Sequence, residues 1–230
     1  MAIKRFDCTE DFTKFIKKQT NGLIGFGSEG YCYSGKDGYA YKVYGEGGPF
    51  RKVEYSVNDI VKVDDFKDKK FKHFAFPIDI YEVGNTIRYY KTIQFEGEDL
   101  IRLENISDVE NIDSINFKKF SKAYKSMAKE VFMLSEENVE IVDLWGNILF
   151  DGETMLGIDT CNFLKNKPNI LARNIYYYNC AIEDIFSIWL REGENLDFHI
   201  EGVDIDSFLK KVVDYVPEDI RKRNPKQFRL

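Results

Sequence analysis

Near residue 100 the hydrophobic period of this 230-residue chain changes, and that change limits the folds open to it. Before it, apolar residues sit in short runs punctuated by glycine. These are Leu23-Ile24, the pair Tyr31-Cys32-Tyr33-Ser34 and Tyr39 to Tyr44 around Gly35-Lys36-Asp37-Gly38, then Pro77 to Val83 and Thr86 to Phe95 around Gly84-Asn85. Runs of this kind between turn residues predict hairpins. Phe12, Phe15 and Ile16 predict a short opening helix, and Glu54 to Val63 has the composition of another. After residue 100, Phe117, Phe120, Tyr124, Met127, Val131 and Leu134 recur at steps of three and four, one face of a long helix. Ile182, Ile185, Phe186 and Trp189 mark a second such face. Ile205, Phe208, Leu209, Val212 and Val213 mark a third, stopped by Pro217. Strands first and helices afterwards make an α+β pattern in two lobes, divided as residues 1–95 and 96–230.

Composition closes several functional classes. A net charge of −6 and a pI near 5.2 argue against a general DNA or RNA binder, which needs a basic face. The basic run Arg221-Lys222-Arg223, with Lys226 and Arg229, reads as a solvated helix end, since cations suit helix C-termini. Two histidines 126 positions apart, His73 and His199, speak against a histidine-based zinc site or a Ser-His-Asp triad. The cysteines Cys8, Cys32, Cys161 and Cys180 form no C-x-x-C pair and read as reduced thiols. No apolar run reaches membrane-spanning length and Met1 to Arg5 lacks a signal-peptide pattern, so a cytoplasmic protein without a membrane partner is expected.

Two stretches carry chemistry. The string Gly25-Phe26-Gly27-Ser28-Glu29-Gly30 is a G-x-G-x-x-G motif, weak by itself. Its context is stronger: a Rossmann turn opens a helix, whereas here Gly30 leads into a strand. A glycine loop between strands suits the close approach of backbone to phosphates. Twelve residues later, alternation in Tyr39-Ala40-Tyr41-Lys42-Val43-Tyr44 puts Ala40 and Lys42 on one face, a small residue beside a cation. The second stretch, Asp143 to Asp159, places Asp143, Asn147 and Asp159 around two apolar runs joined by Asp151-Gly152. It reads equally as a hairpin with polar ends in water or as a rigid fork holding oxygen ligands for a hard cation.

Taken in order, these residues resemble the protein-kinase-like superfamily, over roughly Leu23 to Arg223. Gly25, Gly27, Ser28 and Gly30 resemble the glycine-rich loop, Cys32 falls at the position above the adenine, and Ala40 and Lys42 match the A-x-K of the third strand. Glu54 stands where the family has the helix glutamate that pairs with that lysine, and Thr92 to Gly97 where it has the interlobe hinge. Asp143 and Asn147 are similar to the catalytic loop, and Asp159 to the metal-binding aspartate of D-F-G. The resemblance implies a bilobal fold with a five-stranded N-lobe sheet and a shortened helical C-lobe. It implies ATP and Mg²⁺ as cofactors, Asp143 as the residue orienting the acceptor hydroxyl, and Asn147 and Asp159 as metal ligands. Asp184, in Asp184-Ile185-Phe186-Ser187, matches the helix aspartate that supports the catalytic loop, and Phe208 to Pro225 resembles the family's penultimate helix.

Departures from the family pattern shape the functional expectation. Asp143 and Asn147 are four apart where the family has five, Ile141-Val142 replaces His-Arg, D-F-G reads Asp159-Thr160-Cys161, and Trp189 replaces the glycine of the supporting helix. Displacing a catalytic group by an ångström costs about a hundredfold in rate. The expected function is an ATP- and Mg²⁺-dependent phosphotransferase acting on Ser or Thr of a protein. The alternatives are a nucleotide-binding pseudokinase serving as a regulatory module, and a small-molecule kinase.

Overall fold

A computed structural model describes residues 2–45, 55–66, 68–84, 86–95, 98–99, 112, 115–190 and 199–230, with 98–99 and 188–190 described by their backbone alone. Its contacts divide into two units. One comprises Met1–Lys70, Ala75–Phe95 and Thr160–Lys165; the other comprises Phe71–Phe74, Glu96–Asp159 and Asn166–Leu230.

The first unit is built on a six-stranded sheet. Strands β1 (Ile3–Phe6), β2 (Thr20–Phe26), β3 (Gly30–Gly35), β4 (Tyr39–Tyr44), β5 (Asp79–Val83) and β6 (Thr86–Ile93) lie in the order β1-β5-β6-β4-β3-β2. All neighbours are antiparallel except β1, which runs parallel to β5. Five strands were expected; β1 adds a sixth. Its side chains are mostly exposed, so it carries no hydrophobic alternation. It is held by its backbone ladder and by Arg5, whose Nε lies 2.8 Å from the buried carboxylate of Glu82.

Helix α1 (Thr9–Gln19) forms where predicted. Glu10 and Asp11 in its first turn and Lys17 and Lys18 in its last complement the helix dipole. Phe12 and Ile16, one turn apart, pack with Tyr41, Tyr81 and Tyr89 on one face of the sheet. The opposite face holds a second cluster of Tyr44, Ile60, Ile80, Ile87, Tyr90 and Cys161. Burying aromatic side chains on both faces is the main stabilisation, about 1.5–3 kcal/mol for each large apolar side chain removed from water.

The helix expected over Glu54 to Val63 is absent from its described part. Residues 55–62 form turns and bends, followed by a single 3-10 turn at Val63–Phe66. Local side-chain bonds compete with the helical ladder: Ser56 Oγ donates to Asp59, and Asp65 accepts from the Lys62 backbone N–H. The segment's ends also bond outside it: the Ile87 N–H donates to the Tyr55 carbonyl and the Val63 N–H to the Pro77 carbonyl.

The second unit is mainly helical. Helix α2 (Phe117–Glu136) is capped by Asn116, which accepts from the Lys119 N–H, and buries the predicted face, Phe117, Phe120, Tyr124, Met127, Val131 and Leu134. Helix α3 (Leu171–Leu190) packs against it, with the Tyr124 and Tyr178 rings stacked at 4.7 Å. Helix α4 (Ile205–Tyr215) adds Phe208 against Phe186. Extended Val216 and then Pro217 end it, and α5 (Glu218–Arg223) follows. The basic run is neutralised within α5 by Lys222–Glu218 and Arg223–Asp219 pairs one turn apart. Strands β7 (Glu98–Asp99), β8 (Ile148–Phe150) and β9 (Met155–Gly157) make a small antiparallel sheet. Among the described residues no helix is long and apolar enough to cross a membrane.

Candidate functional site

The glycine motif occupies the connection from β2 to β3, as a strand-loop-strand reading requires. Gly25 pairs with Cys32, and the tip closes by a Gly27 N–H bond to the Gly30 carbonyl at 2.9 Å. The glycines have different reasons to be there. A Cβ on Gly30 would lie 2.0 Å from the Val43 carbonyl oxygen, so the sheet itself demands glycine. A Cβ on Gly25 or Gly27 would meet no atom within 4 Å, and neither has a left-handed φ. The fold of the chain does not explain these two. Ser28 sits exposed at the tip.

Cross-strand register places Lys42 opposite Cys32 and Tyr90, and Ala40 opposite Ser34 and Thr92. Tyr41 and Val43 pack on the α1 side and Tyr44 on the other, so alternation puts Ala40 and Lys42 with Tyr44, as predicted. The Lys42 ammonium lies 3.4 Å from Glu29 Oε2 and 5.5 Å from the Tyr44 ring centroid. Burial drives the Tyr44 hydroxyl well above its ordinary pKa, so it stays neutral and offers Lys42 a ring face rather than a charge. The ion pair with Glu29, both side chains 12% exposed, was not foreseen. A carboxylate inside the glycine motif was its signal in the sequence. Glu54 lies outside the described residues. Of the hinge stretch, Thr92 and Ile93 finish β6 and Gln94 accepts from Ser34 Oγ, while Glu96 and Gly97 lie outside the description.

In the helical unit the stretch Asp143 to Asp159 folds as a fork. Asn147 N–H donates to the Leu144 carbonyl at 3.0 Å, closing a tight turn with Gly146 at φ +71°. A turn of this kind needs a left-handed residue at its third position, which glycine supplies. The four-residue spacing from Asp143 to Asn147 is therefore a closed turn in its own right. Asn147 Nδ2 donates to the Asp143 carbonyl at 2.7 Å. The Ile158 N–H donates to the Asn147 carbonyl at 2.8 Å, tying the residue before Asp159 to the same turn. Asp143 and Asp159 both have φ of +56°. That conformation costs a side-chain-bearing residue about 1 kcal/mol and is best tolerated by Asp and Asn. Asn138, Asn166 and Asn169 share it. Asp143 is exposed and Asp159 half-buried.

What supports this loop from below differs from expectation. Asp184 is exposed, and no hydrogen bond joins it to the loop among the described residues. The supporting residue on the same helix α3 is Asn174, fully buried. Its Oδ1 accepts from the Ile141 N–H at 2.8 Å, and its Nδ2 donates to the Val139 carbonyl and Ser135 Oγ, each at 2.9 Å. Arg173 adds a 2.8 Å bond to the Glu140 carboxylate. A helix N-terminal residue can reach a strand that runs past the helix start, whereas Asp184, ten residues on, is about 15 Å further along the axis. No sequence signal singled out Asn174. His73 is structural: its N–H donates to Glu130, and its ring nitrogens lie 2.8 Å from the Met155 carbonyl and 2.9 Å from Ser126 Oγ. Cys161, in the position of the D-F-G glycine, is buried against Tyr44 and Tyr90.

The donor set suits a hard cation only with help. Asn147 Oδ1 and the Asp159 carboxylate are oxygen ligands of the kind Mg²⁺ prefers, yet two ligands make no cage, and substrate phosphates must supply others. Among the described residues there is no group of three or more His, Cys, Asp or Glu able to hold a metal without such a partner.

No protein-family model matches the sequence, and no curated protein matches it. Among solved structures, that of an apo pseudokinase is similar, with a TM-score of 0.51 and 11% identity over 99% of this chain and 95% of the other. At that identity the likeness speaks for the fold alone. With its strand-loop-strand glycine motif, A-x-K strand and forked hairpin, the chain has an α+β protein-kinase-like fold.

Proposed function

We propose that the chain binds ATP with Mg²⁺ and transfers the γ-phosphoryl group to a Ser or Thr hydroxyl of a protein. The observation that carries this reading is the self-supporting fork: the 143–147 turn closes on itself and ties Asn147 to the residue preceding Asp159. Such a turn holds the Asn147 backbone beside the strand end that leads to Asp159, although the loop is one residue shorter. In this reading Gly25 and Gly27 admit the phosphates to the backbone, which accounts for two glycines that packing leaves unexplained. Lys42 binds phosphate oxygens, Ala40 and Cys32 border the adenine, and Asp143 orients the acceptor hydroxyl and takes its proton late in transfer. Asn147 and Asp159 would hold Mg²⁺, which when bound neutralises charge on the transferring phosphate oxygens.

A pseudokinase is the second reading. The contact of Glu29 with Lys42 favours it, because this carboxylate competes with phosphate for the lysine. One set of measurements decides. Incubation with ATP and Mg²⁺ should release ADP or add phosphate to the protein by intact mass. Asp143→Ala should lower transfer by about 10²–10⁴ and leave nucleotide affinity within a few-fold. Lys42→Ala should remove most of the thermal stabilisation that ATP confers on the folded state. Nucleotide binding without transfer in wild type would establish the pseudokinase reading, and no stabilisation by millimolar ATP would end both.

A further inference from the structure

Helix α2 carries a charge pattern that folding alone does not favour. Lys118, Lys122, Lys125 and Lys129 occupy one exposed face at steps of four, three and four residues. Like charges at these spacings repel. Lys118 also lies in the first turn, which contains no acidic residue and where the dipole disfavours cations. Lys119 is paired with Glu153 and Lys125 with Asp206, but Lys118, Lys122 and Lys129 make no ion pair among the described residues. All this occurs in a chain of net charge −6. A local violation that the fold compensates only in part, through Asp206 beside Lys125 and Glu153 near Lys122, marks a surface kept for another purpose.

The same lysines line a groove of about 490 Å³, with Ser121, Ser126 and Leu230 along it. Asp206 is its one acidic side chain, held by Lys125 and Ser121. We propose that this groove binds a short acidic segment of a partner protein in extended conformation. Three arguments select that occupant. From Lys118 to Lys129 the helix rises about 16 Å, the length of about five extended residues. Successive lysines are about 4.5–6 Å apart along the axis, close to the ~6.6 Å between alternate side chains of a strand, so carboxylates on one face of the segment meet the ammonium groups in turn. Screening confines the attraction to about 8 Å at physiological salt. A five-residue segment matches the length of the lysine row, whereas a long polyanion or a membrane surface would extend past it.

The proposal goes beyond the phosphotransferase reading and is tested without nucleotide. The probe is a fluorescein-labelled hexaglutamate peptide, followed by anisotropy against the full chain at 50 and 150 mM salt. Wild type should bind it, more weakly at the higher salt. The triple variant Lys118→Ala, Lys122→Ala, Lys129→Ala should bind about tenfold more weakly, as three surface ion pairs of middling strength predict. Its melting temperature should be unchanged or raised, since repulsion is relieved. A charge-matched triple variant on α1, at Lys14, Lys17 and Lys18, should bind as wild type does. The proposal is overturned by no binding in wild type, by equal binding in the α2 variant, or by an equal loss in the α1 variant. Tighter binding of single-stranded oligonucleotide or anionic vesicles than of the peptide, lost in the α2 variant, would also overturn it and assign the groove to that ligand.

Discussion

Asn174→Ala tests the support of the loop that carries Asp143 most directly. Asn174 is fully buried and satisfies two buried backbone groups, the Ile141 N–H and the Val139 carbonyl, on the strand-like segment that leads to Asp143. Truncation leaves both without their partner. A buried polar group deprived of its bond costs about 1–3 kcal/mol. The carbonyl loses less than the N–H because a second lone pair eases its satisfaction, so a total of about 3 kcal/mol is expected. For a chain of this length that lowers the melting temperature by about 6–12 °C. Ser135, the third partner, is the control. Its hydroxyl also donates to the Val131 carbonyl within α2, so Ser135→Ala frees one of the two Asn174 amide N–H groups while the Val139 and Ile141 backbone groups keep their partner. That variant should cost no more than about 1 kcal/mol. Chemical denaturation of the three proteins measures the difference. A cost below about 1 kcal/mol for Asn174→Ala, or equal costs for both variants, would refute the assignment of Asn174 as the anchor.

Other outcomes follow from the same geometry. Glu29→Gln removes the negative charge 3.4 Å from Lys42 and should tighten ATP binding by about three- to tenfold, measured by calorimetry; weaker binding would show that Glu29 organises the loop for nucleotide. Asp159→Asn should reduce the Mg²⁺-dependent part of ATP affinity and spare the metal-free part, whereas unchanged Mg²⁺ dependence would make Asp159 a mere end to the hairpin. Hydrogen bonds from Lys125 and Ser121 hold the Asp206 carboxyl below its ordinary value of 3.8. Its folded pKa being depressed, the stabilisation is present above pH 3.8 and lost as pH falls through the lower folded value. The stability gap between wild type and Asp206→Asn should therefore be constant at neutral pH and close below about pH 4, as acid titration of melting temperature would show.

The elements that carry their own periodicity were legible from sequence. The six apolar residues of α2 recur at helical steps and are all buried, the hairpin turns hold glycine where predicted, and the glycine motif lies between strands as its flanking residues required. Order along the chain was enough to recognise a kinase-like series, because each motif is local. What lay beyond sequence was whatever depends on partners far apart in the chain. Strand β1 exists because residue 80 offers an open edge, and its own four residues bury almost nothing. The turns at 55–62 replace a plausible helix where the segment bonds to distant backbone, its Tyr55 carbonyl accepting from the Ile87 N–H and the Val63 N–H donating to the Pro77 carbonyl. Asn174 supports a loop 33 residues earlier through backbone atoms, which every residue possesses, so no pattern of residue types could announce it. The pairing of Lys42 with Glu29 depends on the loop folding back over β4, a distance that only the register of three strands fixes. Period and composition thus determined which segments are strands, helices and turns. Only tertiary structure decided which buried polar groups hold one another, since that is settled by where backbone donors and acceptors end up and not by their sequence spacing.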